Sequence, residues 1–151
     1  GYRHVWCPPA LQKRVLGEFR ALVQKHQPDL CCLLEIDSGS FTSGNFHQLS
    51  MLIDEEYRFH DITNKYLEGS LWTRMPLTRG KSNAILARRQ YGIERMFFSC
   101  GTKRLIYCVH LAPKLSLYFT HFSLTREIRS RQIHEMAELA DRTDGEVIIL
   151  G

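Results

Sequence analysis

Apolar positions along the chain keep two rhythms. After Pro8-Pro9, Leu11, Val15, Leu16, Phe19, Leu22 and Val23 recur at three- and four-residue intervals as far as about Lys25, the spacing of one helix face. Proline suits a first turn, where the amide needs no partner inside the helix, and Pro28 forbids continuation. The run Leu30 to Ile36 is apolar without alternation until Glu35, as expected of a strand covered on both faces. Ser38 to Asn45 reads as loop, and weaker helical spacing covers about Asn45 to Asp54. Thr63 to Lys81 has little periodicity and reads as loop with short strands. Four strand-like runs follow, Asn83 to Ala87, Ile93 to Ser99, Leu105 to Leu111 and Leu115 to Phe122. Turn residues such as Cys100-Gly101 and Ala112-Pro113 separate them, so antiparallel pairing is expected. A further helix is expected over about Thr125 to Arg142, with Ile128, Ile133, Met136, Ala137 and Ala140 inward. Asp144-Gly145 ends it, and "EVIIL" opens a last buried strand. The order predicts an α+β fold, a mixed and mainly antiparallel sheet flanked by helices.

Composition narrows this picture little. A length of 151 residues fits one domain with a real core. Hydrophobic content of 44% and charged content of 24% are those of an ordinary globular chain. The net charge of +4 suits an anionic partner such as phosphate or nucleic acid without requiring one. No apolar run reaches membrane-spanning length. The five cysteines, Cys7, Cys31, Cys32, Cys100 and Cys108, are odd in number and show no CxxC spacing. That argues against both a structural zinc site and a disulfide framework, leaving buried free thiols in a reducing, cytoplasmic setting as the simplest account.

Chemistry concentrates at strand ends. Glu35 closes a dry run, and ionised carboxylates are rarely buried without a partner. At the end of an inner strand it would face the crevice where sheet-based enzymes bind ligands. It could be a hard oxygen ligand for Mg²⁺ or Mn²⁺, or a strand-end glutamate paired with an arginine. His121 ends another apolar strand just before a helix; it could bond a phosphate oxygen or act as acid or base, or be a satisfied, half-buried histidine. Asn83, beside Lys81 and Ser82, could donate to a phosphate or position Glu35, or could terminate a loop. Arg126, Arg129 and Arg131 match phosphate geometry and stand at a helix start, or form a solvated face; Arg129 reads better as a structural partner of the sheet. Gln132 reads as a tie between helix and sheet.

Taken in order, "PDLCCLLEID", "SNAILAR", "LYFTHFSL" with Arg129-x-x-Gln132, and "EVIILG" resemble the motifs of the endonuclease/exonuclease/phosphatase superfamily of Mg²⁺-dependent phosphohydrolases. Together they cover nearly all of the chain from Gln27 onward. The resemblance implies that Glu35 binds the metal, that His121 contacts the scissile phosphate, and that Asn83 supports the floor of the active site. It implies one domain over residues 1–151, half of a four-layer α/β/β/α sandwich, with further family motifs before Gly1 and after Gly151. Leu34 stands where the family usually has glutamine, and Ser82 where it has glycine. The implied activity is hydrolysis of a phosphate ester in nucleic acid, phospholipid or inositol phosphate. The alternative is a non-catalytic binding or scaffolding module of the same fold.

Overall fold

The computed structural model describes residues 8–37, 39, 47–64 and 81–151, Lys81 through its backbone. They form two compact units, the first ending at residue 90 and the second beginning at 91.

The first unit opens with α1, Pro9–His26, which has proline at its first position. It ends where Gln27 turns left-handed at φ 45° and returns its N–H to the Val23 carbonyl at 2.8 Å, a C-terminal closure made without glycine. Three strands follow: β1, Leu30–Asp37; β2, Phe59–Asn64; and β3, Lys81–Ala87. β3 lies between the other two and pairs antiparallel with both. Leu16 and Val23 of α1 meet Leu33, Ile36, Ala84 and Leu86 of the sheet in a core that also takes in Leu49, Leu52 and Tyr57. Most of the expected second helix is absent among the described residues, of which 45 and 46 are not part. Only a single 3₁₀ turn, Gln48–Met51, forms. Asp54 Oδ1 accepts from the amides of Glu56 and Tyr57 at 3.0 and 2.9 Å, and such a side-chain capture of backbone competes with helix. β2 went unforeseen, since "FHDITN" shows no clean alternation; of the expected loop, residues 65–80 lie outside the described residues.

The second unit holds β4, Gly92–Phe97; β5, Leu105–Ala112; β6, Leu115–Thr120; α2, Arg126–Asp141; and β7, Glu146–Leu150. The sheet order is β4-β5-β6-β7. The first three pair antiparallel, while β6 and β7 are parallel and joined through α2, the crossover that parallel neighbours require. The α+β class and mainly antiparallel pairing are as expected. The strands divide over two sheets, however, and β3 pairs with β1 and β2 rather than with the three runs that follow it.

Two expectations in this unit need correction. The inner face of α2 is Gln132 and Met136, both buried, with half-buried Ile128 and Leu139, whereas Ile133 is 51% exposed and Ala137 faces out. Gln132 is admitted inside because its amide is fully engaged there. β7 is not buried: Ile148, Ile149 and Leu150 are 43–44% exposed, since β6 is its one partner among the described residues. Phe98, Ile106, Cys108, Tyr118 and Met136 form the core under α2, with Met96, Phe122, Leu139 and Val147 packed around them. No helix among the described residues is long and apolar enough to cross a membrane.

Candidate functional site

Glu35 and Asn83 belong to the first unit, His121 to the second. The ladder between β1 and β3 runs regularly to Leu33 opposite Ala84, then resumes at Ile36 opposite Ser82. Leu34 and Glu35 together therefore oppose the single residue Asn83, which makes a β-bulge. Glu35 takes the left-handed conformation, φ 58°, which costs a residue with a Cβ about 1–2 kcal/mol. Its neighbours hold it there. Ile36 is 7% exposed, and Asp37 1%. The Asp37 amide donates to Gln48 Oε1 at 3.0 Å, and Gln48 Nε2 donates to Gln12 Oε1 of α1 at 3.1 Å. Asp37 Oδ1 accepts the Gly39 amide at 2.9 Å.

The strand is not covered on both faces as expected: Leu30 to Leu33 are half-buried, and the bulge turns both Leu34, 39% exposed, and Glu35 out before buried Ile36. Asn83 lies on the same rung, 1% exposed. Across β3 from it stands Thr63, whose hydroxyl donates to Asp61 Oδ1 at 3.0 Å. Bulges re-aim side chains and recur beside active sites.

A carboxylate is the donor Mg²⁺ and Mn²⁺ prefer, and Mg²⁺ is commonly held by only one or two of them besides water and substrate oxygens. The donor chemistry of Glu35 fits such an ion. Among the described residues no three His, Cys, Asp or Glu side chains cluster as a complete metal cage.

His121 follows directly on β6 and is half-buried. The ammonium of Lys103 lies 2.9 Å from its Nε2 and 3.4 Å from its Nδ1. One buried side chain fixes both residues' loops. Gln132, 0% exposed, accepts the Ser123 amide at 2.8 Å and donates to the carbonyls of Lys103 at 2.8 Å and Cys100 at 3.0 Å. Gly101 makes the approach possible: at φ +96° a Cβ would stand 2.8 Å from Gln132 Nε2. Arg129 Nη1 donates to the carbonyls of Ser123 and Leu124 at 3.1 and 3.0 Å, so it braces the His121 loop. Arg126 and Arg131 are exposed on α2.

Lys103 escaped the sequence reading. The signal that locates it is register: Ile106 pairs with Thr120, so the residues just before β5 must flank those just after β6.

Burial holds three of the four described thiols in their protonated form. Burial pushes the Cys32 thiol up to about 12, with Cys31 adding to the rise, and burial also raises Cys31 and Cys108. Such protonated thiols are inert. Cys108 is buried, while Cys31, Cys32 and Cys100 are half-buried rather than fully enclosed.

No protein-family model and no curated protein matches the chain. Solved structures do. A humanised D. rerio TDP2 (tyrosyl-DNA phosphodiesterase 2) carrying 14 mutations superposes with a TM-score of 0.63 at 16% identity, over 91% of this chain and 53% of that one. TDP2 from Caenorhabditis elegans gives 0.55 at 18% identity, over 90% of this chain and 38% of that one. The chain shares the fold of these TDP2 structures. A truncated C. elegans TDP2 gives 0.53 at 18% identity. The chain spans about half the length of these TDP2 structures, or less. At such identities the likeness is one of fold, and what that fold does in this chain rests on its own residues.

Proposed function

We propose that this protein is a metal-dependent phosphoester hydrolase, acting on a phosphodiester, and that the chain forms part of one superfamily domain. The observation that carries the proposal is the bulge of β1, which turns the Glu35 carboxylate out of a half-buried strand opposite buried Asn83. Energy is spent on holding a non-glycine residue left-handed there, and such strain is characteristic of functional positions. The name of the TDP2 structures, tyrosyl-DNA phosphodiesterase, favours a phosphodiester over a monoester. Nucleic acid, phospholipid and inositol phosphates are the substrate classes that suit a chain of net charge +4. Free thiols fit a reducing compartment such as the cytoplasm.

In this reading Glu35 holds Mg²⁺ or Mn²⁺ through its carboxylate oxygens. A bound cation of this kind supplies charge neutralisation at phosphoryl oxygens. Asn83, locked on the neighbouring strand, keeps the floor beneath Glu35 in place. His121 bonds a non-bridging phosphoryl oxygen and stabilises charge as it builds there. Arg129 and Gln132 fix the loop that carries His121 and do not touch substrate.

The test uses the full-length protein with bis-p-nitrophenyl phosphate, a DNA substrate and a phospholipid, with Mg²⁺ and with EDTA. EDTA should abolish turnover, and Glu35→Ala and His121→Ala should each lower it about 10²- to 10³-fold. Hydrolysis that survives both EDTA and Glu35→Ala overturns the metal-dependent reading. Substrate binding without any hydrolysis would assign the chain to the non-catalytic alternative.

A further inference from the structure

A bulge can sit at more than one place along a strand, and its place decides which side chain it turns out. Alternate amides of a strand point to opposite edges, and a one-residue slip reverses them together with the side chains. The Asp37 amide spends its proton on Gln48 Oε1, at 3.0 Å. That bond goes with the register in which Ile36 faces the α1 core and the extra residue lies at Leu34 and Glu35. A slip by one would turn the amide away from Gln48 and carry Ile36 out of the core. Gln48 thus reads the register of β1 two residues beyond Glu35.

The Gln48 amide has one way to sit. A backbone N–H can only donate, so the Gln48 oxygen faces Asp37 and its nitrogen faces Gln12 Oε1, at 3.1 Å. Its root is held as well. Gln48 opens a 3₁₀ turn whose Leu49 is buried, as is Leu52 beyond it. The amides of Leu52 and Ile53 return to the Leu49 carbonyl at 2.9 and 3.3 Å, and Ser50 Oγ donates to the His47 carbonyl at 2.7 Å. Gln12 is buried on α1 together with Leu16 and Val23. The chain Gln12–Gln48–Asp37 therefore runs beside an apolar core that α1 and β1 share. Buried polar networks specify one arrangement, and what this one specifies is where β1 resumes pairing after its bulge.

We propose that Gln48 is a positioning residue for Glu35: anchored on Gln12, its amide holds the end of β1 in the one register that turns the Glu35 carboxylate out beside Asn83. The inference rests on the reading of Glu35 as a metal ligand and adds to it a residue that touches neither metal nor substrate. Side chains that fix a ligand from behind set how well it is preorganised, so their loss weakens the site without removing a ligand.

The experiment compares the full-length protein with Gln48→Met, Gln48→Glu, Gln12→Met and Ser50→Ala. Methionine keeps the length of the side chain and makes neither bond. Glutamate keeps the acceptor for the Asp37 amide. Ser50→Ala loosens the same turn without touching β1 and is the control for a merely structural role. Urea unfolding checks that each variant is folded. The readouts are the Kd of Mn²⁺ by calorimetry, kcat and KM on bis-p-nitrophenyl phosphate, and amide hydrogen exchange at Ser82 and Asn83, the residues opposite the bulge. Gln48→Met should weaken Mn²⁺ binding and lower kcat, each by about 10- to 100-fold, with KM changed less than about twofold and exchange at Ser82 and Asn83 about tenfold faster. Gln48→Glu should stay within about threefold of wild type, and Ser50→Ala within about twofold. Folded Gln48→Met with Mn²⁺ affinity and kcat within twofold of wild type overturns the inference and leaves the hydrolase reading standing. Where Gln48→Met does not fold, Gln12→Met is read by the same criterion. A wild type that neither binds Mn²⁺ nor hydrolyses the ester overturns the hydrolase reading. In that case faster exchange at Ser82 and Asn83 in Gln48→Met, and not in Ser50→Ala, leaves the hold on the bulge standing, and equal exchange overturns it too.

Discussion

At position 35 two demands conflict, because the side chain suits a ligand and the backbone suits glycine. A φ of 58° is cheap for a residue without Cβ. Glu35→Gly should therefore leave the protein as stable as wild type or up to about 1 kcal/mol more stable in urea unfolding, while phosphodiester hydrolysis falls to the level of Glu35→Ala. A loss of stability in Glu35→Gly would show that the carboxylate holds the bulge rather than exploiting it. This position also marks how far single residues could be read. Glu35 stood out because a carboxylate at the end of "LCCLLEI" conflicts with a dry strand. Its bulge did not, since no glycine announces it. Gln132 and Arg129 were legible as structural because their three-residue spacing places both near one edge of a helix. Lys103 was invisible for a simple reason: its meaning depends on a register between β5 and β6 that sequence alone does not give.

At the level of elements, two glycines separate local propensity from tertiary demand. Gly17 lies inside α1 with no atom within 4 Å of where a Cβ would sit. Gly17→Ala should raise stability by about 0.5–1 kcal/mol, through helix propensity alone. Gly101→Ala meets Gln132 Nε2 at 2.8 Å and Ile128 Cγ2 at 2.9 Å, at φ +96°. It should lower stability by about 1–3 kcal/mol in the same urea assay and also weaken hydrolysis, since it pushes on the amide that carries both loops. α1 was readable nearly to the residue because a proline starts it and another follows its end. α2 was readable in extent but not in orientation. Counting apolar residues put Ile133 and Ala137 inside, whereas the core took Gln132, whose three hydrogen bonds offset its burial. The 3₁₀ turn at Gln48–Met51 was overcalled as helix because Asp54 binds backbone amides that a helix would have used. β7 reads as buried from "VIIL", but burial is set by neighbours, and among the described residues it has one.

For the molecule as a whole, the α+β class was legible because helical and extended rhythms alternate cleanly. The partition into two sheets was not, because it depends on β3 reaching back over more than forty residues to β1. One global property follows from the thiols. Burial raises Cys32 from an ordinary value of 9.0 to about 12 and raises Cys31 in the same direction. A thiol that keeps its proton to higher pH when folded favours the folded state below about 9. That contribution is lost as pH rises through the interval toward 12. Unfolding free energy in urea should therefore fall between pH 8.5 and 10.5, and replacing both cysteines by alanine should flatten that slope. At neutral pH, thiol reagents should modify Cys31 and Cys32 slowly until denaturant is added.

The bulge in β1 has one more effect, on the phase of the strand. Before it, the odd-numbered residues Cys31 and Leu33 face the α1 core; after it, the even-numbered Ile36 does. The extra residue shifts the alternation by one step, so that Ile36 rather than Asp37 is delivered inward. A strand with this built-in step responds unequally to changes in length. Removing Leu34 would leave an unbroken alternation that still turns Ile36 inward and sets Glu35 directly across from Asn83, whereas adding a residue between Leu30 and Leu33 would turn Cys31 or Leu33 away from the core. β1 is therefore tolerant of shortening at one position and intolerant of lengthening before it, an asymmetry written into the chain by a single residue.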